Sequence, residues 1–298
     1  VFKQSDWSRE LRLCYDKCPG LKIVFTGSSV MRLKEENPEL GGIVKSYNLR
    51  GFSFREYLNL LTGKNFAKHT LDDILERHVD IANEFAQQID IQSHFTNYLH
   101  HGFYPFFREH RNFEENLLKT MNMMTEVDIL LIKQIELKYL TKIKKLFYLL
   151  AVEGPKAPNI SNLASNIETS RATVMNYIKY LSDARLINMI YHVGDDFPKK
   201  PSKVMMYNPN LMYAIYPIVA NTQDAMETFF VNLVWKDHKV NQGNKDAYYI
   251  VDERLKFKIV DGTHSARQRN ATDILYAVYN STVGHDNYIP LWMFGLLY

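Results

Sequence analysis

Leu21-Lys22-Ile23-Val24-Phe25-Thr26-Gly27-Ser28-Ser29 is a short apolar run that ends in a polar tip rich in hydroxyls. Lying after a helical segment, residues 21–26 read as a buried parallel strand whose tip presents hydroxyl and backbone N–H groups. In open α/β sheets, ligands bind at the carboxyl edge of such strands. Gly27 lets the backbone turn sharply there. Working outward, residues 6–18 read as a helix, 34–42 as a polar connection, 44–49 as a second strand and 54–61 as a helix. Ser53-Phe54-Arg55-Glu56 has the spacing of a capping box, which gives Glu56 a structural task. An ordinary polar strand-to-loop turn is the competing reading of residues 26–29.

Two longer quotations carry a resemblance. Thr26-Gly27-Ser28-Ser29 followed by Tyr47-Asn48-Leu49-Arg50-Gly51-Phe52-Ser53-Phe54-Arg55-Glu56-Tyr57-Leu58 resembles a bacterial, Bacteroidetes-type family of AAA+ ATPases. The likeness continues through His101–Pro105, Glu126–Ile129, Met226–Phe230 and Ile289–Gly295, in order along the chain. Members of that family join a P-loop ATPase domain, a winged helix and a C-terminal nuclease-like domain. The resemblance implies that Thr26, Gly27, Ser28 and Ser29 are the sensor-1 strand tip. It also places a magnesium-binding Walker B pair just before Val1 and the phosphate loop further upstream. ATP and magnesium are thus cofactors of the intact protein, and this chain, read as a fragment, holds neither tightly. Within the chain, Thr62-Gly63-Lys64 is a decoy, because a phosphate loop needs Gly where Leu58 stands and Ser or Thr where Asn65 stands. The family's arginine-finger position is occupied by Ile43, which leaves Lys45 as the nearest substitute. Lysine lacks the planar fork that clamps a phosphoryl group.

The fold class that follows is α/β and α+β, multidomain. Residues 1–62 would be the C-terminal part of the ATPase domain, 63–140 a helical lid or linker, 141–208 a winged helix and 209–298 a degenerate restriction-nuclease-like α/β domain. Inside 141–208, helices are expected over 141–152, 160–166 and 171–183, and strands over 190–193 and 203–207, the pattern of a winged helix. Thr173, Asn176, Lys179 and Tyr180 line the outer face of the third helix, and Lys199, Lys200 and Lys203 mark the wing. Such groups suit a major groove and its phosphates. Docking against a protein domain, or self-association, stays open for the same face. In the last domain Asp246 opens a strand, but Lys258 stands where a metal-binding Glu is needed. A cation there repels a metal, so no metal and no nuclease activity are expected.

The 298 residues are 46% hydrophobic and 13% aromatic with a net charge of +3, the composition of packed globular domains rather than a polybasic binder. Cys14 and Cys18 read as buried thiols in a reducing cytoplasm. No run reaches the roughly 18–20 apolar residues of a membrane span, so a cytoplasmic location is expected.

Overall fold

The computed structural model describes residues 6–26, 38–45, 47, 49–109, 112–129, 135–216, 222–244, 248–263 and 273–298. Helix α1 (Trp7–Lys17) forms as expected and buries Trp7, which meets Phe25 at 5.5 Å between ring centroids. The expected strands beside it do not form. Residues 21–26 and the described residues of 44–49 carry no strand, and Val24 and Leu49 are 92% and 95% exposed. A parallel strand needs lateral partners and covered faces, and the described residues supply neither to this segment. Cys14 and Cys18 also differ from expectation, since both are exposed.

From residue 51 onward the described residues pack into two large apolar cores and a smaller third cluster. The first begins at α2 (Phe54–Thr62), where Ser53 and Glu56 make the anticipated capping box in full and Gly63 closes the helix in the left-handed region. Helix α3 (Leu71–Ala86) is capped by Thr70 and Asp73 in the same way. Helix α4 (Ile91–Asn97) runs into a π turn, Tyr98–Gly102. A Cβ at Gly102 would lie 2.3 Å from the Tyr98 ring, so only glycine permits this approach. His100 stacks on Tyr213 while His101 meets Phe113 edge-on, so the adjacent histidines go separate ways.

These helices pack on the C-terminal end of the chain, not on the segment before them. Phe54, Phe85, Phe95 and Tyr98 share one core with Phe229, Phe257, Trp292 and Phe294. Ser53 Oγ and Arg55 Nε both donate to the Tyr298 carbonyl. The segment 54–62, grouped by sequence with the ATPase domain, packs against the C-terminal end of the chain.

The second core holds α5 (Phe113–Met123), α6 (Leu140–Glu153), α7 (Ile160–Asn166), α8 (Arg171–Asp183), a hairpin of β1 (Ile187–Ile190) and β2 (Lys203–Met206), and α9 (Pro209–Ile215). Local sequence explains the helices. Asn159 and Ser170 cap α7 and α8, and α8 buries Val174, Tyr177, Ile178 and Leu181 on one face. The hairpin is antiparallel, with Ile187 opposite Met206. Its first strand starts three residues earlier than the expected 190–193.

Helix α10 (Thr222–Val234) is buried along most of its length and carries Ala225 in the second core and Phe229 and Phe230 in the first. It leads into a five-stranded sheet, in spatial order β3 (Val240–Gln242), β4 (Tyr249–Val251), β5 (Leu255–Asp261), β6 (Ile274–Tyr279) and β7 (Tyr288–Pro290). The first three strands are antiparallel neighbours and the last three parallel ones. Along β5, Phe257 and Ile259 face the helices, while Val260 joins Ile274, Tyr276, Val278 and Tyr288 on the opposite face. Among the described residues no helix is long and apolar enough to cross a membrane.

Burial raises the phenol pKa of Tyr98, Tyr104, Tyr249 and Tyr298 above the ordinary value near 10. The folded state therefore keeps protons that the unfolded chain loses. Stability is full below about pH 10 and falls as pH rises above it, by about 1.4 kcal/mol per pH unit for each such group. Circular dichroism should show cooperative unfolding at alkaline pH, with tyrosine absorbance at 295 nm rising in the same transition. Phenol ionisation that precedes the loss of helix would contradict this.

Candidate functional site

The residues assigned to nucleotide sensing and to the nuclease site fall partly outside the described structure. Gly27, Ser28 and Ser29 lie outside the described residues, and Thr26 is exposed and belongs to no strand. Lys45 is exposed, with its ammonium 5.2 Å from the centre of the Tyr47 ring. Asp246 also lies outside the described residues. Lys258 sits half-buried on β5, 5.8 Å from the Tyr248 ring centre. No group of three or more His, Cys, Asp or Glu that could hold a metal occurs among the described residues.

The outer face of α8 lies wholly within the described structure. Asn176 is exposed, while Thr173, Lys179 and Tyr180 are half-buried. A cavity of about 360 Å³ lies over this face, walled by Thr173, Asn176 and Tyr180 and, from the preceding segment, by Glu136 and Tyr139. Part of the surface that would enter a major groove is thus shared with residues 135–139. The Ser170 and Thr173 hydroxyls are bonded to one another at 2.8 Å. Lys179 is engaged by Asp183, and Lys199 by Asp195, whose hydrogen bond raises the ammonium's pKa. Lys200 is exposed, between β1 and β2.

Lys203 differs most from its expected place. Instead of reaching outward, its ammonium donates to Glu227 at 2.7 Å and to the Tyr249 hydroxyl at 3.1 Å. The side chains of Lys203 and Glu227 are only 13% and 10% exposed. Tyr249 donates to the same carboxylate oxygen at 2.6 Å, and Gln223 donates to the other at 3.2 Å. Three elements supply these groups: β2 the lysine, α10 the glutamate and glutamine, and β4 the tyrosine. Burial raises the Tyr249 pKa first, and the Glu227 charge raises it further. Nearby Asp224 is raised by burial first and then by Glu227. A buried ion pair needs its remaining polar atoms satisfied, and here the donors and acceptors close on one another. The cluster pins the hairpin to α10 and the sheet rather than presenting an open position to a substrate. A lone glutamate inside the apolar run Met226-Glu227-Thr228-Phe229-Phe230 is the sequence signal that could have found it.

Residues 1–58 match the family model described as an AAA domain, and residues 92–222 match that of a domain of unknown function (DUF8612). The second match runs from α4 to the start of α10 and so takes in the helix-and-hairpin unit. An uncharacterized protein of Methanocaldococcus jannaschii is 28% identical over 206 residues, which is 66% of this chain and 43% of that protein. The chain spans less than half the length of this curated relative. No solved structure matches. Residues 1–58 accordingly carry an AAA-type, ATPase-like region.

Proposed function

We propose that this chain is the C-terminal portion of an AAA+-like ATP-binding protein. Thr26, Gly27, Ser28 and Ser29 supply the sensor-1 tip, and the phosphate loop, the Walker B acids and magnesium belong to a segment before Val1. The observation that carries this reading is the AAA-domain match over residues 1–58. The exposure of Val24, Tyr47 and Leu49 agrees with it, because apolar residues of a parallel sheet stay uncovered until their neighbours are present. Hydroxyls at a sensor position orient the attacking water; they do not replace the lysine and metal that neutralise phosphate charge.

Helices α6 to α8 with the β1–β2 hairpin act in this proposal as a winged helix, and the C-terminal sheet as a nuclease-like domain without its chemistry. The engagement of Lys179, Lys199 and Lys203 by carboxylates favours docking by the winged helix over DNA contact. The test is ATP hydrolysis by the chain itself with magnesium. The expected result is no release of phosphate above the buffer rate, and steady turnover overturns the proposal.

A further inference from the structure

Beyond the end of α10 the chain makes one further turn, in which the His238 N–H donates to the Val234 carbonyl at 3.1 Å, and then enters β3. His238 Nδ1 lies 2.6 Å from Asp252 Oδ2, in the turn between β4 and β5. Asp252 is fixed by two more bonds. Its Oδ1 accepts from the Lys239 N–H at 2.9 Å, and its own N–H donates to the Lys239 carbonyl at 2.9 Å. Burial pushes the Asp252 carboxyl up, but the bonds from His238 and Lys239 outweigh it and hold the pKa below the usual value. A carboxylate only accepts, so Nδ1 carries the ring proton and Nε2 of the neutral ring keeps its lone pair. Among the described residues nothing bonds to Nε2, and the side chain is 23% exposed.

The turn that presents Asp252 runs against backbone preference. Asp252 and Glu253 have φ of 50° and 58°, and the Arg254 N–H closes the turn on the Val251 carbonyl at 3.1 Å. Two successive residues in that region make a tight hairpin turn for which Asn-Gly is the usual choice. The sequence keeps two carboxylates there instead. Asp252 orients the imidazole, and Glu253 takes the Lys239 ammonium at 2.8 Å. Exposed Arg254 lies near enough for its charge to act on Asp252 as well. Other histidines are placed differently: His100 stacks on Tyr213, His285 stacks on Tyr288, and His78 is buried with neither ring nitrogen bonded.

We propose that His238 Nε2 is a phosphoryl acceptor, with Asp252 as its positioning residue. The Nε2 lone pair forms a bond to the phosphorus of a labile phosphoryl donor. The bond from phosphorus to the donor's leaving group breaks, and the leaving group departs with that electron pair. Asp252 keeps the proton on Nδ1 and stabilises the imidazolium that forms, as a carboxylate does for a histidine acting through its second nitrogen. Arg254 offers charge to the phosphoryl oxygens. The dyad uses neither residues 26–29 nor magnesium, so it is independent of the ATPase reading.

Phosphoramidate is the probe, since its phosphorus–nitrogen bond breaks to release ammonia. Incubated with the chain near neutral pH, it should label His238 about tenfold faster than exposed His192 and His285, read by mass spectrometry of peptides kept alkaline. Asp252→Asn should slow labelling of His238 about tenfold while His192 in the same molecules keeps its rate. Asparagine accepts the left-handed backbone, and its amide donates to Nδ1, which moves the ring proton to Nε2. Nitrogen-15 NMR of the imidazole should show that change of tautomer, with the thermal midpoint near that of the wild type. A surface ion pair without this role predicts equal rates at the three histidines. Labelling of His238 no faster than of His192 and His285 overturns the proposal, as does an unchanged rate in Asp252→Asn. The wild-type comparison stands whether or not that variant folds, and neither outcome bears on ATP hydrolysis by the intact protein.

Discussion

Lys203→Met should destabilise the folded chain by about 3–5 kcal/mol, because it leaves the buried Glu227 carboxylate without its counter-ion. Solvent screening is weak at this pair, since neither side chain exceeds 13% exposure. The Tyr249 hydroxyl would keep its bond to Glu227 but lose the lysine above it. Adding Glu227→Gln to Lys203→Met should recover most of the loss: the charge disappears while an acceptor for Tyr249 remains. Urea unfolding of the single and double variants checks both statements. A loss below about 1 kcal/mol for Lys203→Met would mean that the ammonium reaches solvent, as a wing lysine poised for phosphate would.

Asn210→Leu should cost a similar amount, about 3–5 kcal/mol, by a different route. The Asn210 amide is 1% exposed and serves three backbone groups of one turn. Its Oδ1 accepts from the Phe103 N–H at 2.9 Å, and its Nδ2 donates to the Tyr98 and Leu99 carbonyls at 3.0 and 2.7 Å. Each buried polar group left without a partner costs about 1–3 kcal/mol. The π turn would lose its tie to α9, and with it a direct connection between the two cores. Asn210→Asp should also destabilise at neutral pH, because a carboxylate would face two carbonyl oxygens. Equilibrium unfolding measures the loss, and Asn210→Leu with wild-type stability would contradict the role of this amide.

Caps and periodicity make much of the helical structure readable. Ser170 and the spacing of Val174, Tyr177, Ile178 and Leu181 place α8 at its observed limits, Arg171–Asp183. The capping boxes at Ser53 and Thr70 are equally legible, since each depends on residues three apart. Strands are less so. Leu186–Ile190 is apolar except for Asn188 and offers no regular alternation to set a boundary, so the sequence places β1 three residues late. The segments 21–26 and 44–49 read as strands, yet a strand exists only with partners, which local sequence does not contain. The same limit hides the pairing of Lys203 with Glu227 and Tyr249, 24 and 46 residues away. Lysines near a wing look alike in sequence, and burial alone separates the phosphate seeker from the internal counter-ion. Of the hydroxyl-bearing tip at 26–29, the described structure shows only Thr26; the AAA-domain match spans the whole of residues 1–58.

The most direct measurement is phosphate release from ATP and magnesium, followed for this chain and for a polypeptide extended upstream of Val1 in the same assay. A region that contributes only a sensor strand predicts no turnover by the chain and turnover by the extended protein. Sustained hydrolysis by the chain alone would place a complete catalytic centre within these 298 residues and refute the assignment of the phosphate loop and Walker B acids to an upstream segment.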